Sequence, residues 1–416
     1  MKNVIFILTC CLLSVNSYAQ QATSNIQPGA ANFSAYLKLL KGKKVGVFAN
    51  QTSMVGNTHL VDTLQKLGVQ IVKIFGPEHG FRGTADAGEK VSSYVDKATG
   101  INVISLYGKK RKLNAEDVAD IDILLFDIQD VGVRFYTYIS SLQEYMESAV
   151  SNKKPLIILD RPNPNGHYVD GPVLDTNYRS FIGMQPVPIV YGLTMGEYAK
   201  MLAGEGWLKL NSSKAYSEIS ETEFLIDGVT IKVVKCIDYD HKLVYNLPVK
   251  PSPNIPDATT ILLYPSTCLF EGTVLSEGRG TPHPFGIIGH PKLTAAQFAF
   301  TPVSMDGAKE PKLKNIPCLG WNIYENATAI KKQFYRQVNV DYLIEAYKMF
   351  PEKDSFFLMP KSGKATDYFF NKLAGNSKLM QQIKAGVSRD AIIASWQPAL
   401  SNYKQIRKKY LLYTDF

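Results

Sequence analysis

Between positions 45 and 240, short apolar runs rich in β-branched residues alternate with stretches whose apolar residues recur at helical spacing. Few architectures tolerate that rhythm. The runs at 45–49, 69–75, 101–106, 121–126 and 155–159 read as buried strands. The stretches 59–67, 115–119 and 136–150 read as helices. Thr194 and Glu197 form a capping box for another helix running to about 203, where Gly204 can end it. The alternation predicts an α/β fold with a mostly parallel sheet, helices on its faces and right-handed crossovers. No GxGxxG follows the first strand and no P-loop pattern occurs, so this architecture implies no nucleotide.

Residues 1–19 have the composition of an export leader. Lys2 supplies the positive end, 4–15 is apolar, and Ser17-Tyr18-Ala19 fits a cleavage site. The run is shorter than the ~18 apolar residues of a membrane span, and no later segment approaches that length, so no stable membrane insertion is expected. Cys10 and Cys11 lie too early for a lipid-attachment cysteine, which favours a periplasmic protein over a lipid-anchored one. Cys236, Cys268 and Cys318 are too few and too widely spaced for a disulfide framework, and no CxxC pair suggests zinc or redox work. The formal charge of +9 comes from scattered basic residues. That excludes a nucleic-acid arm and suits an anionic envelope polymer.

The length suggests two domains. Residues 247–256 carry four prolines, which forbid helix continuation and central-strand pairing. The boundary is therefore placed at 250, giving 20–250 and 251–416, with the alternative role of a rigid segment lining a cleft. Beyond it, 340–349, 379–386 and 398–409 read as helices, the last with proline in its first turn.

Chemistry concentrates at the ends of the strands. FGPEHGFRG at 75–83 sets Glu78, His79 and Arg82 among glycines just past a strand, the edge where open α/β sheets bind ligands. DIQDVGVRFYTY at 127–138 supplies Asp127, Asp130, Arg134, Tyr136 and Tyr138, and DRPNPNG at 160–166 supplies Asp160, Arg161 and Asn163. Any one acid here can be a helix cap or a salt-bridge partner, but three such loops at one edge point to a site. FEGTVLSEGRGTPHPF at 270–285 adds Glu271, Glu277, Arg279 and His283. Tyr107, Tyr136, Tyr138 and Phe285 are candidate sugar-stacking surfaces. There is no GxSxG or HExxH, and His283 and His290 lack metal-site spacing, so neither cofactor nor metal is expected. Carboxylates beside arginines and aromatics suit glycoside hydrolysis, in which an acid protonates the leaving oxygen and a second group stabilises an oxocarbenium-like centre.

In this order, FGPEHGFRG, DIQDVGVRFYTY, LDRPNPNG, PSPNIP and FEGTVLSEGRGTPHPF resemble the motifs of the NamZ-type exo-β-N-acetylmuramidases, from about residue 40 to the C-terminus. The resemblance implies a Rossmann-like catalytic domain, a smaller α+β C-terminal domain and a site in the cleft between them. It implies release of β-linked N-acetylmuramic acid from the non-reducing ends of peptidoglycan fragments, with the glutamate of its GPEHG motif, here Glu78, as catalytic group. The family pattern often has asparagine after EGT, where this chain has Val274.

The expectation is thus a cofactor-independent exo-glycosidase acting on muropeptides or disaccharides. Glu78 is the proton donor, and His79 relays a proton or orients it. The 2-acetamido group permits substrate-assisted catalysis with Asp127 or Asp160 orienting it, and a covalent intermediate or inversion is equally open in the sequence. One of Arg134, Arg82, Arg279 or Arg161 reads the lactyl carboxylate. Asp130, Tyr136, Asn163, Glu277 and His283 complete the binding set. The rivals are a non-catalytic binder of cell-wall fragments and a metal-dependent esterase or amidase on the same polymer. Oligomeric state is not legible.

Overall fold

The computed structural model describes residues 26–83, 92–211 and 215–416, so the leader expected at 1–19 lies outside it. In chain order the first part contains α1 (Phe33–Leu40), β1 (Lys44–Ala49), the hairpin of β2 (Met54–Val55) and β3 (Thr58–His59), α2 (Leu60–Lys66), β4 (Gln70–Gly76), β5 (Tyr94–Val95), β6 (Asn102–Ser105) and β7 (Ile123–Asp127). It continues with α3 (Tyr138–Ser151), β8 (Leu156–Leu159), α4 (Met195–Gly204), β9 (Tyr216–Ser220), β10 (Glu223–Ile226) and β11 (Val229–Val234). All but the small hairpin join one sheet of order β5-β6-β4-β1-β7-β8-β11-β10-β9. The six strands from β6 to β11 run parallel, with antiparallel strands only at the two edges. Numbered among themselves, those six read 3-2-1-4-5-6, the doubly wound order whose direction reverses between β1 and β7.

The strands read as continuous apolar runs because both faces of the sheet are covered. Alternate residues serve different cores. Phe48, Leu124 and Phe126 pack with α3 and α4, whereas Val45, Val47, Ile123 and Leu125 pack with α1 and α2. The stretch 115–119 forms turns, not the expected helix. Asn114 and Asp117 bond each other's backbone amides through their side chains, at 2.8 and 2.9 Å, and so divert the chain from helical pairing. The capping box of α4 is present, but the left-handed residue after it is Gly206 (φ 65°), while Gly204 admits the ring of Tyr410.

The second part holds α5 (Ala258–Thr267), a three-stranded antiparallel sheet of β12 (Ile287–His290), β13 (Phe298–Phe300) and β14 (Cys318–Asn322), and helices α6 (Ala327–Gln333), α7 (Asp341–Met349), α8 (Phe369–Ala374), α9 (Lys378–Lys384) and α10 (Arg389–Lys408). Pro398 sits in the middle of α10, not in the first turn of a helix at 398–409. It lies on the exposed face beside Ala394, so the carbonyl it leaves unpaired meets water. The opposite face buries Ile392, Trp396, Leu400, Tyr403 and Arg407. The large apolar cluster runs without a break from α3 and α4 through Tyr264 and Phe285 to Leu400. Cys236, Cys268 and Cys318 are all buried free thiols.

The C-terminal segment is fastened onto the first part by buried polar bonds. Tyr403 donates to the Tyr191 carbonyl at 2.7 Å and Arg407 to the Gly192 carbonyl at 2.8 Å. Glu197, fully buried, accepts from the amides of Thr194 and Leu412, each at 2.8 Å, and lies 2.9 Å from Nε2 of His241. Glu197→Ala leaves these groups buried without an acceptor and is expected to cost about 3–5 kcal/mol, whereas Thr194→Ala, which removes only a helix cap, is expected to cost ~1 kcal/mol. Denaturant titration of both variants measures the difference; equal losses would show that Glu197 acts only as a cap residue.

Candidate active site

The carboxyl ends of β4, β1 and β7 meet where the strand order reverses, and the chain leaves each in a polar loop. After β4 the loop turns sharply through His79, whose φ of 67° is unusual for a residue with a side chain. Glu78 beside it accepts a hydrogen bond from the Tyr107 hydroxyl at 2.8 Å. Burial and the charge of Glu78 push the Tyr107 phenol up, so it stays protonated as a donor. After β7, Tyr138 accepts from Asn50 Nδ2 at 2.9 Å, and Tyr136 donates to the Pro251 carbonyl at 2.7 Å.

Glu78, His79, Tyr136 and Tyr138 belong to one wall of a cavity of about 470 Å³ that opens to solvent. Glu78, His79 and the segment 135–138 come from the first part of the chain. The opposite wall comes from the second: Ser252, Asn254 and Ile255 of the proline-rich segment, Tyr264 of α5, and Arg279 and Phe285. The site therefore lies in the cleft between the two parts, and the proline segment lines it.

Arg279 is held from behind. Its Nη2 lies 2.7 Å from Glu271, its Nη1 3.0 Å from Glu277, and the guanidinium sits over the Phe285 ring at 4.9 Å. Burial opposes its charge, but Glu271 and Glu277 outweigh that and raise its proton affinity. Glu277 is 2.8 Å from Lys312, whose ammonium also donates to the carbonyls of Phe270, Glu271, Thr273 and Leu275 at 2.9–3.3 Å. Burial alone would raise the Glu277 carboxyl; Lys312 and Arg279 hold it down. Gly278 permits the loop's close approach: at φ 84°, a Cβ would stand 2.4 Å from the Ile287 carbonyl.

Of the residues singled out in the sequence, Glu78, His79, Tyr136, Tyr138, Arg279 and Phe285 line the cavity, with Glu271 and Glu277 directly behind Arg279 and Tyr107 bonded to Glu78. The others are placed elsewhere. Asp127 and Arg161 form a buried bidentate pair at 2.6 and 2.8 Å that ties the ends of β7 and β8. Asp160 accepts from Gly196 in the first turn of α4 at 2.8 Å and from Tyr413 at 2.7 Å. Arg134, fully buried, donates to the carbonyls of Pro172, Val187 and Leu373 at 2.7–2.9 Å. Burial brings its guanidinium down to about 9. Arg82 forks onto Asp96 at 2.8 and 3.1 Å. Asn163 donates to the Leu193 carbonyl and accepts from Asn165 within its own turn. His283 stacks on Tyr324 at 3.8 Å. Tyr264 and Lys312 gave no signal in the sequence, since an aromatic residue in an apolar helix reads as core and a lone loop lysine reads as solvated. Among the described residues no three His, Cys, Asp or Glu side chains come together as metal ligands.

Asp130 is buried, accepting from Gly132 N at 2.6 Å and from the Tyr191 hydroxyl, and burial pushes its carboxyl up to about 7 from 3.8. The folded chain then holds a proton that the unfolded chain releases near 3.8, so this group's contribution makes stability fall as pH rises from 3.8 to about 7. Asp130→Asn has no such proton. The stability of the variant relative to the wild type, from denaturation at several pH values, is expected to grow across that window and then level off. A difference independent of pH would mean that Asp130 is ionised throughout.

Fold and cavity together define an α/β protein with its candidate site at the carboxyl edge of a doubly wound sheet. The chain belongs to the NamZ exo-β-N-acetylmuramidase family: residues 45–259 match the family's N-terminal region and 262–413 its C-terminal region. It is 37% identical over 398 residues to the peptidoglycan β-N-acetylmuramidase NamZ of Bacillus subtilis (strain 168), covering 91% of this chain and 89% of that protein. Two crystal structures of DUF1343 family proteins from Bacteroides fragilis NCTC 9343 are similar over 94% of this chain and all of theirs. Their identities are 42% and 27%, with TM-scores of 0.81 and 0.72.

Proposed function

We propose that this protein is an exo-acting glycosidase that releases β-1,4-linked N-acetylmuramic acid from the non-reducing ends of peptidoglycan fragments, in cell-wall turnover. Family membership and the activity named for the Bacillus relative supply the class of reaction. The observation that carries the reading to residues is Glu78, the one carboxylate among the described residues lining the cavity, held by a phenol that remains a donor. Export to the periplasm is proposed with it, on the apolar run at 4–15 behind Lys2.

In this reading Glu78 protonates the leaving oxygen as the C1–O bond breaks. A paired-carboxylate scheme needs a second acid about 5–9.5 Å away, and the candidates Asp127 and Asp160 are committed to Arg161 and to α4. The substrate's acetamido oxygen closes on C1 as the internal nucleophile in this reading, without the orienting carboxylate expected of Asp127 or Asp160. Water then opens that ring at C1 and returns a proton to Glu78. Tyr136, Tyr264 and Phe285 enclose the sugar, and Arg279 faces the lactyl carboxylate.

Glu78→Gln keeps the shape and removes the proton, so hydrolysis of a natural disaccharide is expected to fall by about 10²–10⁴. Near-normal turnover by the folded variant would sink the assignment. The sugar preference tests Arg279. An N-acetylglucosaminide lacks the lactyl carboxylate and leaves a reading arginine unpaired, costing about 1–3 kcal/mol. The muramide is expected to be preferred by roughly tenfold to several hundredfold in kcat/KM. Arg279→Met is expected to erode that preference more than it erodes glucosaminide hydrolysis. Equal cleavage of chromogenic muramide and glucosaminide by the wild type would end the substrate assignment.

A further inference from the structure

A second cavity lies one loop away from Glu78. The loop that brings Tyr107 to Glu78 continues to Arg111, whose guanidinium lies over the Phe181 ring at 3.9 Å and makes no hydrogen bond to the described protein. Around it, Arg179, Ser180, Lys209 and Glu144 close a space of about 480 Å³ that is open on one side. Arg179 reaches only the Gln185 amide oxygen, at 3.3 Å, and no carboxylate of the described residues lies within ion-pair distance of Arg111, Arg179 or Lys209. Arg111 Nε and Ser180 Oγ are buried donors with no partner. Glu144 is the single acid in the lining; burial pushes its carboxyl up against the pull of Arg111, Lys112 and Lys209, and the lining sets three cations against this one carboxyl.

Unpaired cations are expensive to hold together, and a planar guanidinium fixed flat on an aromatic ring is pre-set to take two oxygens at once. Surface arginines that merely solvate a fold need neither the ring beneath nor the unpartnered hydroxyl beside them. We propose that this cavity is an oxyanion subsite that binds a carboxylate or phosphate through Arg111, Arg179, Lys209 and Ser180. Its place on the Tyr107 loop puts it next to the reaction centre, where the charge of Arg111 is felt at the Tyr107 phenol. The nearest source of such a group is the substrate: an acidic peptide on the next muramic acid of the chain being shortened would carry carboxylates past the cleaved bond. This source rests on the function proposed above. A free oxyanion such as inorganic phosphate has the same chemistry and is the alternative source.

The test compares the wild type with Arg179→Gln/Lys209→Gln, both positions being exposed, so that folding is retained. Three probes are used: inorganic phosphate by calorimetry, a chromogenic β-N-acetylmuramide, and a trisaccharide with a free terminal muramic acid whose inner muramic acid does or does not carry an acidic peptide. Phosphate is expected to bind the wild type and to bind the double variant at least tenfold more weakly, while the chromogenic muramide is hydrolysed alike by both. If kcat/KM falls about tenfold only on the peptide-bearing trisaccharide, the anion comes from the substrate. If phosphate binding alone is lost, the site serves a free oxyanion. Unchanged phosphate binding together with unchanged kinetics on both trisaccharides overturns the proposal. A wild type that leaves the muramide intact defeats the glycosidase reading but not the phosphate arm, so the two failures are distinguishable.

Discussion

A parallel sheet buried on both faces has no room for polar side chains except at its ends. The central strands β1, β7 and β8 obey that constraint, and much of the polar structure follows from it. Asp127 ends β7 against Arg161, which follows β8, and Asp160 ends β8 against the first turn of α4. These acids are fully desolvated. Each therefore has to be neutralised by a guanidinium, by helix amides or by a proton. They hold neighbouring strand ends in place, which fixes the loops that do reach solvent. Glu78 is different: it follows β4, lines the open cavity, and is held by the hydroxyl of Tyr107 from the loop after the neighbouring strand β6.

The same constraint governs what could be read from the sequence. Strands buried on both faces give unbroken apolar runs, so β1, β4, β7 and β8 and their order with the helices were legible. Glu78 was legible because its loop joins titratable groups to glycines and proline, and His79 does adopt a left-handed backbone there. Arg134 illustrates the limit. In sequence it stands among aromatics in a polar loop and reads as a cation facing a ligand. In three dimensions its partners are backbone carbonyls, one of them Leu373 at the end of α8. No local pattern reveals a partner 239 positions away. Asp127, Asp160 and Arg161 fail for the same reason: a strand end that binds a ligand and a strand end that binds its neighbour have the same composition.

Lysine and arginine do a further kind of work that composition conceals. Arg134, Lys312 and Arg407 all spend buried or half-buried donors on main-chain carbonyls. Arg134 joins the loops at 172 and 187 to α8. Arg407 joins α10 to Gly192, and Lys312 gathers four carbonyls of the segment that ends in Arg279. Carbonyls not used in a helix or sheet ladder need donors if they are buried. A long side chain with several N–H groups satisfies several at once. Arg134 and Arg407 do this where the two parts of the chain meet, and Lys312 does it within the second part, which contains little regular sheet.

That difference bears on how the cavity keeps its shape. One wall hangs from the ends of parallel strands, the stiffest part of such a fold. The other wall is irregular chain, and its rigidity depends on the network running from Lys312 through Glu277 to Arg279. Lys312 touches none of the cavity, yet it sets the charge balance of the loop. Glu271 and Glu277 without it would leave Arg279 over-neutralised, a guanidinium with two carboxylates of its own and little attraction left for a third. With Lys312 taking one oxygen of Glu277, the four groups sum to zero and Arg279 retains positive field on its open side. The ability of the irregular wall to recognise an anion thus rests on a lysine in a loop that is 33 residues further along the chain, which explains why the motif containing Arg279 does not by itself specify the site.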